Sequence, residues 1–222
     1  MNYTQELVEI YDLLFDRYGP QHWWPGETRD EIIIGAILTQ NTNWKNVEKA
    51  IENLKIKNLL TLVNITKTDM PEITQCIRPS GYYNQKALRL QEIAQYFMGS
   101  DVQSFSTRTT AEMRTELLAL KGIGPETADS ILLYAFEKPV FVIDTYTKRI
   151  FARSGIFPGN ISYDEAQNFF MQNLQENAEL FNEFHALLVR HAKECCQKNP
   201  HCIKCVLLKK CKFNNYDLNQ EQ

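Results

Sequence analysis

The sequence predicts an all-α fold, and three features of its 222 residues carry that prediction. Apolar residues recur every three or four positions along most of the chain, the period of one helix face. Gly, Pro and Asn gather in short breaks between those segments and nowhere form a long tract. Only Val140–Ile143 is strand-like, and a single stretch that short makes no sheet.

Taken in order, Leu7, Ile10, Tyr11, Leu14 and Tyr18 trace the apolar face of a first helix. That segment carries acids among its apolar residues and lacks a basic head and a cleavage site, so it reads as part of the fold rather than as a signal peptide. Thr28-Arg29-Asp30-Glu31 is a capping box ahead of Ile32–Leu38, which predicts a buried helix. Another covers Val47–Leu54. Ala87, Leu90, Ile93, Ala94 and Phe97 line a helix that Gly99 can close. Leu117, Leu118 and Leu120 end one helix, and Ala128, Ile131, Leu132 and Ala135 line the next. Phe169, Phe170 and Leu174 mark one more, and Leu180, Phe184, Leu187 and Leu188 the last. Turn signals fall at Gly19-Pro20, Trp24-Pro25-Gly26, Pro79-Ser80-Gly81, Gly122–Pro125 and Pro158-Gly159-Asn160. None is long enough to be a linker, so two domains would meet at a cleft rather than hang on a tether.

Composition narrows the class. With 44% hydrophobic and 23% charged residues the chain is globular, without low-complexity tracts or a solenoid repeat. Its longest apolar runs fall far short of the roughly 20 residues a membrane span needs. The expectation is a soluble, cytoplasmic protein. A net charge of −3 gives no global support to nucleic-acid binding. Residues 190–212 are different: Arg190, Lys193, Lys198, Lys204, Lys209, Lys210 and Lys212 face a single acid, Glu194. Such an end could meet phosphates or be a solvated face.

Three constellations could carry chemistry. In LKGIGPETA, Gly122 suits a left-handed turn and Pro125 the first turn of a helix. The second glycine, Gly124, is more than a helix–helix turn requires. Bare backbone N–H groups at a helix N-terminus can cradle phosphate oxygens. Local physics leaves turn and cradle equally open. Asp144 follows Val140–Ile143 and is placed to cap the next helix. Of six cysteines, four fall as Cys195-x6-Cys202-x2-Cys205-x5-Cys211, with Cys76 and Cys196 left over. Disulfides are foreign to an intracellular helical protein, so the four thiolates are expected to hold a metal. Zinc sites usually show two close pairs where this chain has one, but spacing alone leaves zinc open.

LKGIGPETA followed by VFVIDTYTKRIFAR resembles the helix-hairpin-helix, Gly/Pro-Asp superfamily of DNA glycosylases, closest to its endonuclease III-like members. The resemblance runs from about Leu14 to Cys211 and includes LTQNT at Leu38–Thr42 and GYYNQKA at Gly81–Ala87. It implies a helical barrel domain over residues 25–135 that holds the hairpin. Residues 1–24 and 136–222 would form a second helical domain, with double-stranded DNA containing a damaged base bound by a monomer. It makes Asp144 the catalytic aspartate, Lys121, Gly122, Ile123 and Gly124 the DNA-binding hairpin, and Cys195, Cys202, Cys205 and Cys211 the ligands of a [4Fe-4S] cluster. That cluster would fold the loop presenting Lys204, Lys209 and Lys210 to phosphates. Gln40 would fill the gap left by the extruded base, and Tyr82 would wedge into the opposite strand. Bifunctional relatives carry a lysine where this chain has Glu126, and Lys121 is out of register to replace it. The resemblance therefore implies a monofunctional glycosylase that uses water. Glu126, QHWWP at Gln21–Pro25, LTQNTNW at Leu38–Trp44 and RPSGYYNQKA at Arg78–Ala87 are similar to the 3-methyladenine glycosylase III branch, which removes alkylated purines. Trp23, Trp24 and Trp44 fall on its base-pocket segments, and an electron-poor methylated base stacks well on indole. A pocket lysine of that branch is replaced here by Leu187.

Overall fold

Helices begin where the chain supplies a side-chain acceptor for the first free N–H groups. The computed structural model describes residues 2–23, 26–99 and 105–213, and these are helical with no strand among them. Asn2 caps α1 (Tyr3–Tyr18), Thr28 caps α2 (Arg29–Leu38) and Asn43 caps α3 (Trp44–Ile56). Thr61 and Asp69 do the same for α4 (Leu62–Lys67) and α5 (Met70–Ile77). A short 3₁₀ turn, Arg78–Ser80, leads into α6 (Tyr83–Gly99). Thr109 and Glu112 form a full capping box on α7 (Thr110–Ala119). α8 (Pro125–Phe136) starts on Gly124 with no side-chain cap. Asp144, Ser162 and Asn177 cap α9 (Thr145–Arg153), α10 (Tyr163–Asn173) and α11 (Ala178–Glu194).

The box expected at Thr28 is only half formed. Thr28 Oγ1 accepts from Glu31 N, but the Glu31 carboxylate accepts from Glu27 N, one residue before the cap. Gly99 is the last helical residue rather than a residue beyond the end.

The chain divides into two units, Trp24–Lys138 and a second made of Met1–Trp23 with Pro139–Gln222. In the first, α2 is buried on nearly every side because Ile33, Ile34, Ile37 and Leu38 leave it no polar face. It packs on α8, whose Ile131 and Leu132 are fully buried. Arg114 on α7 makes a bidentate pair with Asp129 on α8, Nε–Oδ1 2.7 Å and Nη2–Oδ2 3.2 Å, and the Asp129 side chain is fully buried. This fork-to-carboxylate geometry fixes the two arms of the hairpin against each other.

Phenylalanines dominate the core of the second unit. Phe141 stacks on Phe170 at 3.9 Å, with Phe151, Phe181 and Phe184 around them. Residues 140–143 are extended and buried, and Gln167 donates to Phe141 O in place of a sheet neighbour. The stretch delivers Asp144 to the mouth of α9. No helix among the described residues is long and apolar enough to cross a membrane.

Candidate functional site

At the hairpin, Gly122 adopts φ +80°, a region an L side chain strains to enter. The Arg89 side chain crosses the turn, and a Cβ at this position would push its flexible end aside. Gly124 has no such neighbour within 4 Å and keeps an ordinary φ of −94°. Gly122, Gly124 and Glu126 are exposed, and the end of α8 they form is open to an anion.

Two expected contributors to the cradle are used otherwise. Ile123 is 6% exposed and its N–H is spent on Leu120 O, so it packs the turn instead of offering a contact. The Lys121 N–H goes to Glu92 Oε1 at 3.0 Å, which leaves that residue only its exposed ammonium.

Gln40 sits just past α2 and its amide is engaged within the same unit. Its Nε2 donates to Gly122 O (3.2 Å) and Thr127 Oγ1 (3.0 Å), and Arg89 donates to its Oε1. Tyr82 is 65% exposed at φ +46°, a strained conformation for a tyrosine. Behind both lies Lys86, fully buried, donating to Leu38 O (2.8 Å) and Ser80 O (2.7 Å). Burial lowers its ammonium from 10.5 to about 8. The clamp joins the end of α2 to the turn before α6, so it fixes the stems of Gln40 and Tyr82. Trp44 opens α3 and is half-buried, whereas Leu187 is a fully buried residue of α11 in the other unit. Trp24 lies outside the described residues.

Asp144 belongs to the other unit. Its Oδ1 accepts from Thr147 N at 2.7 Å, and its Oδ2 lies 3.6 Å from His185 Nε2. The carboxylate is 13% exposed. Burial opposes ionisation, yet the neighbouring His185 imidazole and the Thr147 N–H outweigh it, so the group titrates below its ordinary range. Trp23 stands edge-on to His185, centroids 6.5 Å apart, with Lys193 Nζ 5.6 Å from the indole. The structure thus groups Trp23 with Asp144 through His185, a residue that sequence reasoning missed.

The four expected cysteines converge. Cys195, Cys196, Cys202, Cys205 and Cys211 line one pocket of about 280 Å³, counted to its open mouth, with Arg153 at its edge. None is in a disulfide. Arg153 donates to Cys196 Sγ at 3.2 Å. Burial pushes the Cys205 thiol up to about 12 and raises Cys195 and Cys202, so thiolates here require a metal to displace their protons. The donor set therefore fits a thiolate-ligated centre. His191 also lies here, its ring within 4.8 Å of the Cys195 and Cys205 sulfurs. Its signal in the sequence was a histidine one helical turn before Cys195. The loop's lysines divide: Lys204 and Lys209 are exposed, whereas Lys210 is half-buried and ion-paired to Glu6 (3.0 Å) and Glu9 (2.6 Å) on α1. Lys210 ties the loop to α1, so it is not presented to phosphates as expected.

The glycine hairpin and the carboxylate-capped α9 both lie in a stretch of chain that matches a family of DNA-repair proteins. Residues 34–176 match the family described as HhH-GPD superfamily base excision DNA repair protein. A Methanocaldococcus jannaschii relative, provisionally named a DNA repair glycosylase, is 44% identical over 214 residues, covering 95% of this chain and 97% of that one. Endonuclease III of Sulfolobus acidocaldarius is 30% identical over 191 residues, 85% of this chain and 84% of its own. The solved structure of H. pylori 3-methyladenine DNA glycosylase bound to 1,N6-ethenoadenine superposes with a TM-score of 0.75 at 32% identity, covering 87% of this chain and 98% of that one. The chain belongs to the HhH-GPD superfamily and is a DNA glycosylase of base excision repair.

Proposed function

We propose that the chain is a monofunctional glycosylase that hydrolyses the N-glycosidic bond of an alkylated purine in double-stranded DNA, acting as a monomer. The observation that carries this reading is Asp144: an ionised, nine-tenths-covered carboxylate on a helix end, in a chain whose hairpin position 126 is a glutamate. As the bond between base and C1′ breaks, its electron pair leaves with the base and the sugar turns cationic. Asp144 stabilises that cation and takes a proton from the attacking water. Water oxygen bonds to C1′, and the products are a free base and an intact strand with an abasic site. Glu126 offers no amine for a Schiff base.

The N–H groups of Gly122 and Gly124, with Lys121, hold backbone phosphates without reading sequence. Gln40 and the exposed Tyr82 occupy the space of the extruded nucleotide, whose removal from the stack costs roughly a few kcal/mol. Trp23 and Trp44 supply indole faces on which an electron-poor alkylated purine stacks, and the 32%-identical H. pylori relative is named for 3-methyladenine. Cys195, Cys202, Cys205 and Cys211 hold a [4Fe-4S] cluster, which when bound supplies a covalent cross-link that folds the loop of Lys204 and Lys209.

The test is base release from duplexes carrying alkylated, oxidised or mismatched bases, with borohydride present in parallel. The expected result is free alkylated purine and no covalent adduct. A trapped adduct, or release of oxidised pyrimidines instead, would favour an endonuclease III-type enzyme, the reading that the S. acidocaldarius relative supports. Release of no base at all would leave a non-catalytic DNA-binding module with a redox-sensing cluster.

A further inference from the structure

His191 is 1% exposed at the end of α11, and its carbonyl and both ring nitrogens are engaged. Its carbonyl accepts the N–H groups of both Cys195 (2.8 Å) and Cys196 (2.9 Å). Its Nδ1 lies 3.0 Å from Tyr18 Oη on α1, and its Nε2 lies 3.5 Å from Cys205 Sγ. A phenol carries its proton at neutral pH, so Tyr18 Oη has one to give. With that O–H donated to Nδ1, the ring proton sits on Nε2, facing sulfur.

We propose that His191 donates its Nε2–H to the Cys205 thiolate, in a tautomer fixed by Tyr18, and so tunes the reduction potential of the cluster those cysteines hold. The inference rests on the [4Fe-4S] reading above. A hydrogen bond to a ligating thiolate withdraws electron density and favours the more reduced, more negative form of the cluster. It therefore raises the potential. It is also a second strap between the cysteine loop and α1, alongside Lys210 with Glu6 and Glu9. His191 is a positioning residue here and touches no substrate.

The experiment uses the full chain purified without air, as parent, Tyr18→Phe, His191→Leu and His191→Gln. Iron and acid-labile sulfide are measured per chain, and the cluster potential is read by voltammetry at an electrode, which supplies the electron. Expected are parent-like iron and sulfide in Tyr18→Phe, with a potential below the parent's. His191→Leu should fall further, and His191→Gln, whose amide keeps an N–H, should recover part of the loss. Iron should also leave severalfold faster in air from the Leu variant. Unchanged potentials in iron-replete Tyr18→Phe and His191→Leu would overturn the proposal alone. So would loss of iron from His191→Leu beside a parent-like Tyr18→Phe, since His191 would then be a ligand. A parent without iron and sulfide would overturn the cluster reading and this proposal with it. If His191→Leu fails to fold, Tyr18→Phe still decides.

Discussion

Two helix N-termini in this chain are built in opposite ways. α8 begins on Gly124, exposed and without a side-chain cap, whereas α9 begins on Asp144, whose carboxylate takes the Thr147 N–H at 2.7 Å. Each end presents unpaired N–H groups and the positive pole of a helix dipole. The bare end leaves that field to an anion from outside, the use that phosphate binding needs. The capped end spends it on an anion of its own and keeps a covered carboxylate charged. The two also differ in what builds them. α9's end is made by a partner three residues away. α8's end is framed from α6, which contributes Arg89 across Gly122, Glu92 on the Lys121 N–H and Lys86 beneath the segments of Gln40 and Tyr82.

The largest effect separates charge from capping at the closed end. Asn caps a helix about as well as Asp, so Asp144→Asn should change folding stability by less than about 1 kcal/mol. It removes the negative charge, and single-turnover base release should drop about a thousandfold, the scale found when one preorganised transition-state contact is lost. Thermal unfolding and excision rates on the same samples check both halves. If Asp144→Asn excised at the parental rate, this end would be a cap and nothing more.

Lys86 tests whether the open end depends on its scaffold. Lys86→Met leaves the Leu38 and Ser80 carbonyls buried without a donor, at about 1–3 kcal/mol each, partly offset because no charge is buried. Urea unfolding should show a net loss of about 2–4 kcal/mol. The sign with pH is opposite to a salt bridge's. The folded-state value of about 8 lies below the ordinary 10.5, so the unfolded chain holds the proton longer. This group's contribution to stability therefore rises between those two pH values, and the rise should be absent from Lys86→Met.

Gly122 and Gly124 sharpen the contrast inside one turn. Gly122→Ala meets a φ of +80° and displaces the Arg89 side chain, so it should cost about 1–2 kcal/mol in stability and about tenfold in duplex affinity. Gly124→Ala meets neither, and stability should move by less than about 0.5 kcal/mol. Its methyl group would still crowd an incoming phosphate. A severalfold loss of duplex affinity without loss of stability, read by anisotropy at fixed salt, would assign that exposed backbone to DNA.

The same contrast explains what the sequence disclosed. Asp144 and its helix were legible because a cap needs only its own next turn, and Gly122 because a left-handed residue and a following proline are neighbours. The cysteines were legible from spacing inside one loop. Arg89, Lys86 and His185 were not, since each reaches a partner more than 30 residues away, Gln40, Leu38 and Asp144 in turn, that no local period announces. Lys210 was misread for the same reason: its acids, Glu6 and Glu9, lie at the other end of the chain. Ile123, expected as a DNA contact from the motif, lies buried between two exposed glycines, where an apolar residue holds the turn.

The smallest expected effect is the pH dependence of the closed end. In the folded protein Asp144 titrates below its ordinary value of 3.8, with burial opposed by His185 and by the Thr147 N–H. A carboxyl whose folded value is depressed adds stability that is fully present above the unfolded value and is lost as pH falls through the folded one. The parent's unfolding free energy should therefore carry a contribution that disappears only below about pH 4, near the unfolded value. Asp144→Asn has no proton to take up at that position, so below that point the difference between the two should shift against the parent. Denaturant unfolding of both proteins down the pH scale, repeated with His185→Gln in each to remove the coupled imidazole, measures it. A difference that shifted toward the parent well above pH 4, and still did so without His185, would mean that Asp144 is raised rather than lowered, and the capped end would then hold a neutral acid, unable to stabilise a cationic sugar.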